Sequence, residues 1–339
     1  MRTITVTGAS GFLGGHCVRQ ALADGWRVRG TLRDPQLEAQ AREAAGHLAS
    51  DRLTLVEADL TSDDGWREAV RGSEVVLHVA SPFPRSQPED AAAVVRPAVD
   101  GTRRVMAAAA AGGVRRVVVT SSMNACAGSG GHPEGYRLTD EDWADPDDPA
   151  LSPYDLSKTL AEREAWRLSR KPGSPEVVTV LPGAILGPVL TDDLSASADI
   201  VSKLLTGAVP AIPRVGFAPV DVRDAADAHL TAADATGAAG RRFLCCLDHV
   251  WLEEVAAILR RRYAEDGYDV PARRMPDLAV RVGALVSPTL RRTAHALGQR
   301  RLVDTGPARD ILGWKPRGVE AMVTAMADSL IERGLARPR

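Results

Sequence analysis

Glycines at a fixed spacing are the first residues in this 339-residue chain that could do chemistry. The segment TGASGFLGG follows the β-rich run 2–7 and places Gly8, Gly11 and Gly14 three residues apart. Glycine lets a backbone turn sharply and approach a pyrophosphate, and a following helix offers unpaired N–H groups there. A purely structural turn is the alternative. The position between a first strand and a first helix predicts a dinucleotide-binding loop, with the Ser10 hydroxyl as a further donor.

A second group combines hydroxyls with an amine. Ser121 and Ser122 end the run RRVVVTSS, and Tyr154 precedes Lys158 by four residues, which puts both on one helix face. An ammonium favours a nearby phenolate, so we expect Lys158 to lower the pKa of Tyr154 towards neutrality. Taken singly, these residues are also typical of packing, solvation and capping. Together they predict acid–base chemistry at a carbonyl or hydroxyl oxygen, which Ser122 would also bind.

The second strand bears on which dinucleotide is bound. It ends in two uncharged residues followed by Arg33, where an NADP site places an arginine on the 2′-phosphate. Asp34 beside it keeps NAD as an alternative. After the third strand, Asp59 and Leu60 could meet the adenine, although Asp59 could instead cap the next helix.

These residues need a scaffold that alternates strands with helices. Strands are expected at 2–7, 27–32, 52–56, 74–79, 115–120 and 176–181, and helices at 12–24, 35–48, 63–70, 89–111 and 153–170. Several strands are continuous apolar runs, as in parallel sheets that are covered on both faces. The pattern predicts an α/β protein with a Rossmann-type doubly wound parallel sheet.

The second half of the chain loses this rhythm. Helices are expected at 193–206, 223–235, 249–264, 276–297 and 317–334, and a strand at 241–247 is expected to rejoin the sheet. We therefore predict a cofactor domain of 1–182 plus about 214–248. A smaller, discontinuous substrate lobe would comprise about 183–213 and 249–315, with a C-terminal helix in 316–339. Such a lobe would close a ligand cleft over the carboxyl ends of the strands.

Composition limits the partners and the setting. With 42 basic and 44 acidic residues, the chain has no electrostatic footprint for nucleic acid or an anionic membrane. Cys17, Cys126, Cys245 and Cys246 have no CxxC spacing, so neither a disulfide framework nor a metal site is expected. The first residues lack a signal peptide and no long apolar span occurs, which predicts a cytoplasmic protein.

The motifs together resemble a known family. TGASGFLG, TSS and YDLSK are similar to those of extended short-chain dehydrogenases/reductases, over almost the whole chain. Within that superfamily the chain resembles the dihydroflavonol reductase and cinnamoyl-CoA reductase group, which includes microbial aldehyde and ketone reductases. The segments that carry this likeness are TLRDP, ADL, HVASP, DLSKTLAEREAW, LPGAILGP, DVRDAADAH and LGWKPR.

The resemblance implies roles for single residues. Tyr154 would be the acid/base, Lys158 would hold the nicotinamide ribose and lower the Tyr154 pKa, and Ser122 would orient the substrate oxygen. The implied cofactor site comprises Gly8, Ser10, Gly11, Phe12, Leu13, Gly14, Arg33, Asp59, Leu60, Ala80, Ser81, Lys158, Pro182 and Gly183.

The chain also departs from the family pattern at two positions. Asp100 stands where relatives usually have Asn, which puts a helix-borne water relay in doubt. Cys126 stands where sugar epimerases commonly show Tyr, which weakens the nucleotide-sugar interpretation.

The resulting hypothesis is an NADPH-dependent reductase of an aldehyde or ketone on a fairly hydrophobic small molecule. Phe83, Met123 and Tyr136 are the candidate substrate residues. The alternatives, in order, are an NAD-dependent nucleotide-sugar epimerase or dehydratase, a steroid dehydrogenase/isomerase, and a non-catalytic dinucleotide-sensing regulator. A monomer and a homodimer both stay open.

Overall fold

A seven-stranded parallel sheet forms the centre of the computed structural model, which describes residues 1–81, 90–128 and 132–338. The strands are β1 (Thr3–Val6), β2 (Arg27–Leu32), β3 (Leu53–Glu57), β4 (Val75–His78), β5 (Arg116–Thr120), β6 (Arg137–Leu138), β7 (Glu176–Pro182), β8 (Ala184–Leu186), β9 (Gly216–Phe217), β10 (Pro219–Asp221), β11 (Arg242–Cys245), β12 (Val250–Trp251) and β13 (Leu302–Val303). The sheet order is β11-β7-β5-β4-β1-β2-β3. The predicted doubly wound parallel sheet is confirmed.

Helices cover both faces of this sheet. They are α1 (Phe12–Ala23), α2 (Glu38–Ala45), α3 (Trp66–Ala69), α4 (Ala92–Ala111), α5 (Asn124–Ala127), α6 (Pro153–Ser169), α7 (Ala196–Leu205), α8 (Val222–Asp234), α9 (Leu252–Tyr263), α10 (Asp277–Gly283), α11 (Pro288–Ala296), α12 (Gly306–Leu312) and α13 (Val319–Glu332). Helix α4 packs against α6, and α1 packs against α8. None of the helices within the described ranges is long and apolar enough to cross a membrane.

The run of valines in β5 explains how the two layers meet the sheet. Val117 and Val119 belong to the core cluster that includes α4 residues, whereas Val118 belongs to the cluster that includes α1 and α8 residues. All three side chains are buried. Successive side chains of a strand point to opposite faces, so a strand buried on both faces has to be apolar at every position.

The chain leaves the sheet after β7 and returns to it once. Parallel pairing of β8 with β10 follows β7, and β11 then pairs in parallel with β7 at the sheet edge. A separate core cluster combines α7, α9 and α13 through Val201, Leu259 and Met326. The strand expected at 241–247 is therefore the edge strand of the main sheet.

Three expected helices differ from those found, each for a local reason. The helix at 276–297 is two helices, because Ser287 caps α11 and Pro288 has no N–H to continue α10. Gly65, with a φ of 79°, delays the helix expected at 63–70 until Trp66. The helix at 35–48 is α2 between two 3₁₀ turns, the first of which is capped by Asp34.

Candidate active site

The glycine loop joins β1 to α1 in a shape that side chains would prevent. Gly8 has a φ of 71°, and a Cβ on Gly14 would lie 2.0 Å from the Gly8 carbonyl oxygen. The Gly11 N–H donates to that same oxygen at 3.0 Å. The first turn of α1 has no side-chain cap, so its leading N–H groups, those of Phe12 and Leu13, are left for an anion. The loop fits a pyrophosphate.

Other predicted cofactor residues lie at the carboxyl ends of neighbouring strands. Arg33 follows β2 and is exposed, whereas the Asp34 carboxylate accepts the Gln36 N–H at 2.9 Å. Asp59 follows β3, and its Oδ1 accepts both the N–H and the hydroxyl of Thr61. These hydrogen bonds hold the pKa of Asp59 below its usual value, with a smaller contribution from Arg33. Asp59 thus caps a local turn and stays charged.

A chain of buried hydrogen bonds fixes Ala80 beside this loop. The Ala80 N–H donates to the Thr7 hydroxyl at 2.9 Å, and that hydroxyl lies 3.1 Å from Nδ1 of His78. The other His78 nitrogen lies 3.4 Å from the hydroxyl of Thr102, which donates to Ala98 O. Burial lowers the pKa of His78 to about 3, so the ring is neutral. Ala80 is held within contact distance of Gly8, where an added Cβ would be 3.2 Å from it.

The two serines after β5 face different partners. Ser121 N donates to Val180 O and Met123 N donates to Pro182 O, so the segment continues to pair with β7. The Ser121 hydroxyl donates to the Glu162 carboxylate at 2.5 Å. The Ser122 hydroxyl is hydrogen-bonded to the side chain of Tyr154. Only the second serine is therefore joined to the predicted acid/base.

Tyr154 and Lys158 lie one turn apart at the start of α6. Ser152 caps this helix by accepting the Asp155 N–H, and Pro153 occupies its first turn. Tyr154 is half-buried and Lys158 is 6% exposed. The Lys158 ammonium donates to Thr120 O at 3.0 Å, which directs it back to the end of β5. Burial lowers the Lys158 pKa to about 8, although Glu162 opposes this shift.

The pKa of Tyr154 is shifted in the direction opposite to the one expected. Burial raises it, the negative charge of Asp155 raises it further, and the hydrogen bond from Ser122 lowers it only in part. Lys158 makes no resolved contribution to this shift. The expectation that Lys158 lowers the Tyr154 pKa is wrong for this structure, because the loss of hydration of a phenolate outweighs it. The phenol therefore holds its proton at neutral pH.

Behind the serines, the sequence analysis missed a buried ion pair. Glu162 is one turn beyond Lys158 on α6, and its Oε1 accepts Arg242 Nε at 2.7 Å. The same carboxylate accepts from Ser121, Thr179 and Trp166. Residues far apart in the chain thus meet behind the strand end that carries Ser122. The only sequence signal was the position of Glu162, which stands four residues after Lys158 on the same helix face.

The structure brings the rest of the predicted cofactor residues to one edge of the sheet. Pro182 ends β7 and Gly183 follows it, where a Cβ would lie 1.9 Å from Ala218 O. Four further residues of the predicted cofactor site lie near this edge. Ser10 is in the glycine loop and Leu13 on α1, while Leu60 follows β3 and Ser81 follows β4. Leu60 packs closely on α4, since a Cβ on Gly101 would be 2.7 Å from it.

The three candidate substrate residues have different outcomes. Phe83 lies outside the described residues. Met123 is buried in the core cluster below the sheet edge, with 4% exposure. Tyr136 is 39% exposed, stacks on His132 and donates its hydroxyl to Asp142, so its contacts do not connect it to Tyr154.

The four cysteines are free and buried. The described parts of the chain contain no cluster of side chains that could hold a metal ion.

Comparisons with known proteins agree with this arrangement. The model for the NAD dependent epimerase/dehydratase family matches residues 4–246. A cinnamoyl-CoA reductase of Medicago truncatula is 36% identical over 270 residues, which cover 77% of this chain and 80% of the relative. Dihydroflavonol 4-reductase of Zea mays is 34% identical over 286 residues, which cover 80% of this chain and 76% of the relative. The structure of yeast methylglyoxal/isovaleraldehyde reductase complexed with NADPH has a TM-score of 0.82 at 23% identity, covering 98% of this chain and 99% of that chain. At that identity the structural likeness concerns the fold.

Proposed function

Since the chain belongs to the NAD dependent epimerase/dehydratase family and is an NAD(P)-dependent oxidoreductase, we propose that it reduces an aldehyde or ketone to an alcohol with NADPH. The sequence resemblance to dihydroflavonol and cinnamoyl-CoA reductases is confirmed by these relatives. Their names describe reactions at a carbonyl group, which is the chemistry that we propose here for a small-molecule substrate.

One observation carries the proposal, namely the hydrogen bond between Ser122 and Tyr154. Two interacting hydroxyls at the carboxyl end of a central strand can both bind one oxygen atom of a ligand. Lys158 lies one helical turn away, with its ammonium at the same strand end. The glycine loop lies at this edge of the sheet, so a dinucleotide held there would end near the two hydroxyls.

The glycine loop and Arg33 would hold NADPH, which when bound would supply a hydride for the carbonyl carbon. Ser122 and Tyr154 hold the carbonyl oxygen by hydrogen bonds that strengthen as negative charge develops on it. Tyr154 Oη then gives its proton to that oxygen. Its raised pKa suits this direction, because the phenol arrives protonated. Lys158 places a positive charge at the strand end, and the burial of these side chains excludes water.

The choice of NADPH over NADH rests on the end of β2. Arg33 is exposed there and can form a bidentate contact with a 2′-phosphate. Asp34, which would favour the ribose hydroxyls of NAD, already uses its carboxylate to cap the following turn. The geometry therefore supports NADP(H), with NAD(H) as the alternative.

The substitution Tyr154→Phe tests the proposed mechanism. It removes the proton donor and keeps the ring, so kcat for carbonyl reduction should fall by about 10²- to 10⁴-fold. NADPH binding, measured by its fluorescence on the protein, should stay within a few-fold. The matched control is the reverse exchange at Phe217, which is half-buried on β9. Phe217→Tyr should have little effect on kcat. Near wild-type turnover by Tyr154→Phe would exclude the assigned role.

The epimerase alternative uses the same three side chains but returns the hydride to its own substrate. NADPH consumed in proportion to product supports the reductase, whereas a tightly retained NAD that does not exchange supports the epimerase. Binding of NADPH without turnover of any carbonyl compound would favour a dinucleotide-sensing regulator. A steroid dehydrogenase/isomerase would be distinguished by steroid turnover.

The division of labour within the chain is also part of the proposal. Residues 1–182 plus about 214–248 would bind the dinucleotide, and about 183–213 with 249–315 would cover the substrate, while 316–339 carry the last helix. A cytoplasmic location and a monomeric or homodimeric state stay predictions.

A further inference from the structure

Arg301 is a partly buried cation at the border of the candidate active site. It lies between α11 and β13, and its Nη1 donates to Asn124 Oδ1 at 3.2 Å. Burial lowers the pKa of this guanidinium, although the charge of Asp155 opposes the shift. Asn124 is a neutral partner that accepts one of the five N–H groups of a guanidinium. Within the described ranges, no other hydrogen bond of the Arg301 side chain is present.

The nearest carboxylate is already occupied. Asp155 Oδ1 accepts Asn124 Nδ2 at 2.6 Å, and Asp155 Oδ2 accepts the Ser152 hydroxyl at 2.8 Å. The Asn124 amide thus lies between the carboxylate and the guanidinium and bonds to both. Arg301 is therefore attracted by Asp155 across this amide without a direct ion pair.

His249 is a second polar side chain without a partner at the same place. Both of its ring nitrogens are buried, and neither has a hydrogen-bond partner among residues 1–81, 90–128 and 132–338. Its backbone N–H donates to Arg301 O at 3.0 Å. Burial lowers the pKa of its ring, and the charges of Arg300 and Arg301 lower it further. The edge of Trp251 contacts this ring, with the centroids 4.3 Å apart.

Buried polar groups without partners are rare because each costs free energy when water is removed. A guanidinium with spare donors, whose own residue pairs through its backbone with a histidine that has an unpaired ring, is typical of a site that a ligand completes. The chemistry that best satisfies a planar guanidinium is a carboxylate, which can accept two parallel N–H bonds. An imidazole nitrogen can add a further hydrogen bond to the same group.

We propose that Arg301 and His249 bind a carboxylate group of the substrate, so that the natural substrate is a carbonyl compound that also carries a carboxylate. This inference rests on the proposed function and specifies its substrate class. The Asn124 N–H donates to the Ser122 hydroxyl at 3.2 Å, and Asp155 adjoins Tyr154, so Arg301 lies beside the two hydroxyls that would hold the carbonyl oxygen. The pocket is then polar at one end, unlike the apolar lining expected from the sequence.

Matched pairs of substrates test the proposal. Oxo acids such as 4-formylbenzoate and succinic semialdehyde are compared with their methyl esters, and kcat/KM is measured from NADPH consumption. The wild-type protein should prefer the acids by at least about tenfold, as expected for a charge-assisted bidentate contact. Arg301→Gln should lower kcat/KM for the acids by about 100-fold and change that for the esters by less than about threefold.

Control variants separate binding from folding. Arg301→Lys keeps the charge without the fork and should give an intermediate loss, which remains measurable if Arg301→Gln does not fold. The exposed arginine changed in Arg27→Gln, at the start of β2, should leave both substrate series unaltered. His249→Phe should lower kcat/KM by about three- to tenfold for the acids and leave that for the esters unchanged. An equal loss for acids and esters, or a wild-type preference for esters, would overturn the proposal.

A binding measurement makes the result independent of turnover. The affinity of 4-formylbenzoate and of succinic semialdehyde for the NADP⁺-saturated protein, in which they cannot be reduced, is measured by calorimetry. Binding that Arg301→Gln weakens at least about tenfold supports the carboxylate site, even where no carbonyl is reduced and the proposed function fails. If the protein reduces neutral aldehydes but Arg301→Gln does not weaken the binding of acids, the proposed reductase function stands and the carboxylate site is rejected.

Discussion

Ser121 and Glu162 are joined by a buried hydrogen bond of 2.5 Å from the serine hydroxyl to the carboxylate, while the adjacent Ser122 is bonded to Tyr154. Neighbouring serines on one strand end thus face the core and the candidate active site, respectively. Since side chains alternate along an extended backbone, the two hydroxyls cannot exchange these roles.

Alanine substitutions at the two serines should therefore separate stability from activity. Ser121→Ala removes a donor from a buried carboxylate and should lower the free energy of unfolding by about 1–3 kcal/mol, with modest effect on kcat. Ser122→Ala should lower kcat by about 10²- to 10³-fold with little change in stability. Urea unfolding and steady-state kinetics measure both quantities. The assignment is wrong if Ser121→Ala shows the larger loss of kcat.

Much of the fold could be predicted because its signals are local. The glycine spacing, the valine run of β5 and the four-residue step from Tyr154 to Lys158 each lie within a short segment. Contacts between distant segments gave no such signal. The pairing of Glu162 with Arg242 joins residues 80 positions apart, and the position of Arg301 depends on how the last third of the chain folds back.

Errors in the sequence interpretation have the same origin. The Tyr154 pKa depends on how deeply the helix start is buried, which the i, i+4 spacing does not reveal. The role of Tyr136 in lining the pocket stays a prediction, and its contacts with Asp142 and His132 at the surface could not be predicted either. Burial and charge are properties of the assembled structure, and they decide which chemical groups are usable.

Removal of one partner from the buried ion pair of Arg242 and Glu162 should greatly lower the free energy of unfolding. Arg242 Nε and Nη2 both donate to Glu162, and the guanidinium stacks on Trp143 at 3.6 Å. Arg242→Met would leave a buried carboxylate without its cation and should lower the free energy of unfolding by about 3–5 kcal/mol. Arg261→Gln in the exposed pair with Glu320 is the control, with a loss of less than about 1 kcal/mol. Equal losses in chemical denaturation would contradict a special role for burial.

Cofactor preference should depend on Arg33. Its loss in Arg33→Gln removes a charged donor at the end of β2 and should raise KM for NADPH by about 10- to 100-fold. KM for NADH should change by less than about threefold, because NADH lacks the phosphate. Arg27→Gln, at the exposed start of the same strand, is the matched control and should alter neither constant. A parallel rise in both KM values would mean that Arg33 does not distinguish the two dinucleotides.

Stability should fall in mild acid because of three buried histidines. Burial lowers the pKa of His16 and His229 to about 4 and that of His78 to about 3. The unfolded chain binds these protons below about pH 6.5 while the folded chain does not, so the free energy of unfolding decreases as the pH falls. Between pH 7 and pH 5 each histidine should contribute a loss of about 2 kcal/mol.

The slope of this pH dependence, rather than the stability itself, identifies the groups. His229 accepts from Thr120 at 2.7 Å and donates to Ala225 O, so His229→Gln lowers stability at every pH. It should also remove about 2 kcal/mol of the change between pH 7 and pH 5, because one titrating group is gone. Exposed Leu278→Gln, which changes no titrating group, is the control and should keep the wild-type slope. Urea unfolding at the two pH values measures this, and an unchanged slope in His229→Gln would show that His229 does not stay neutral in the folded protein.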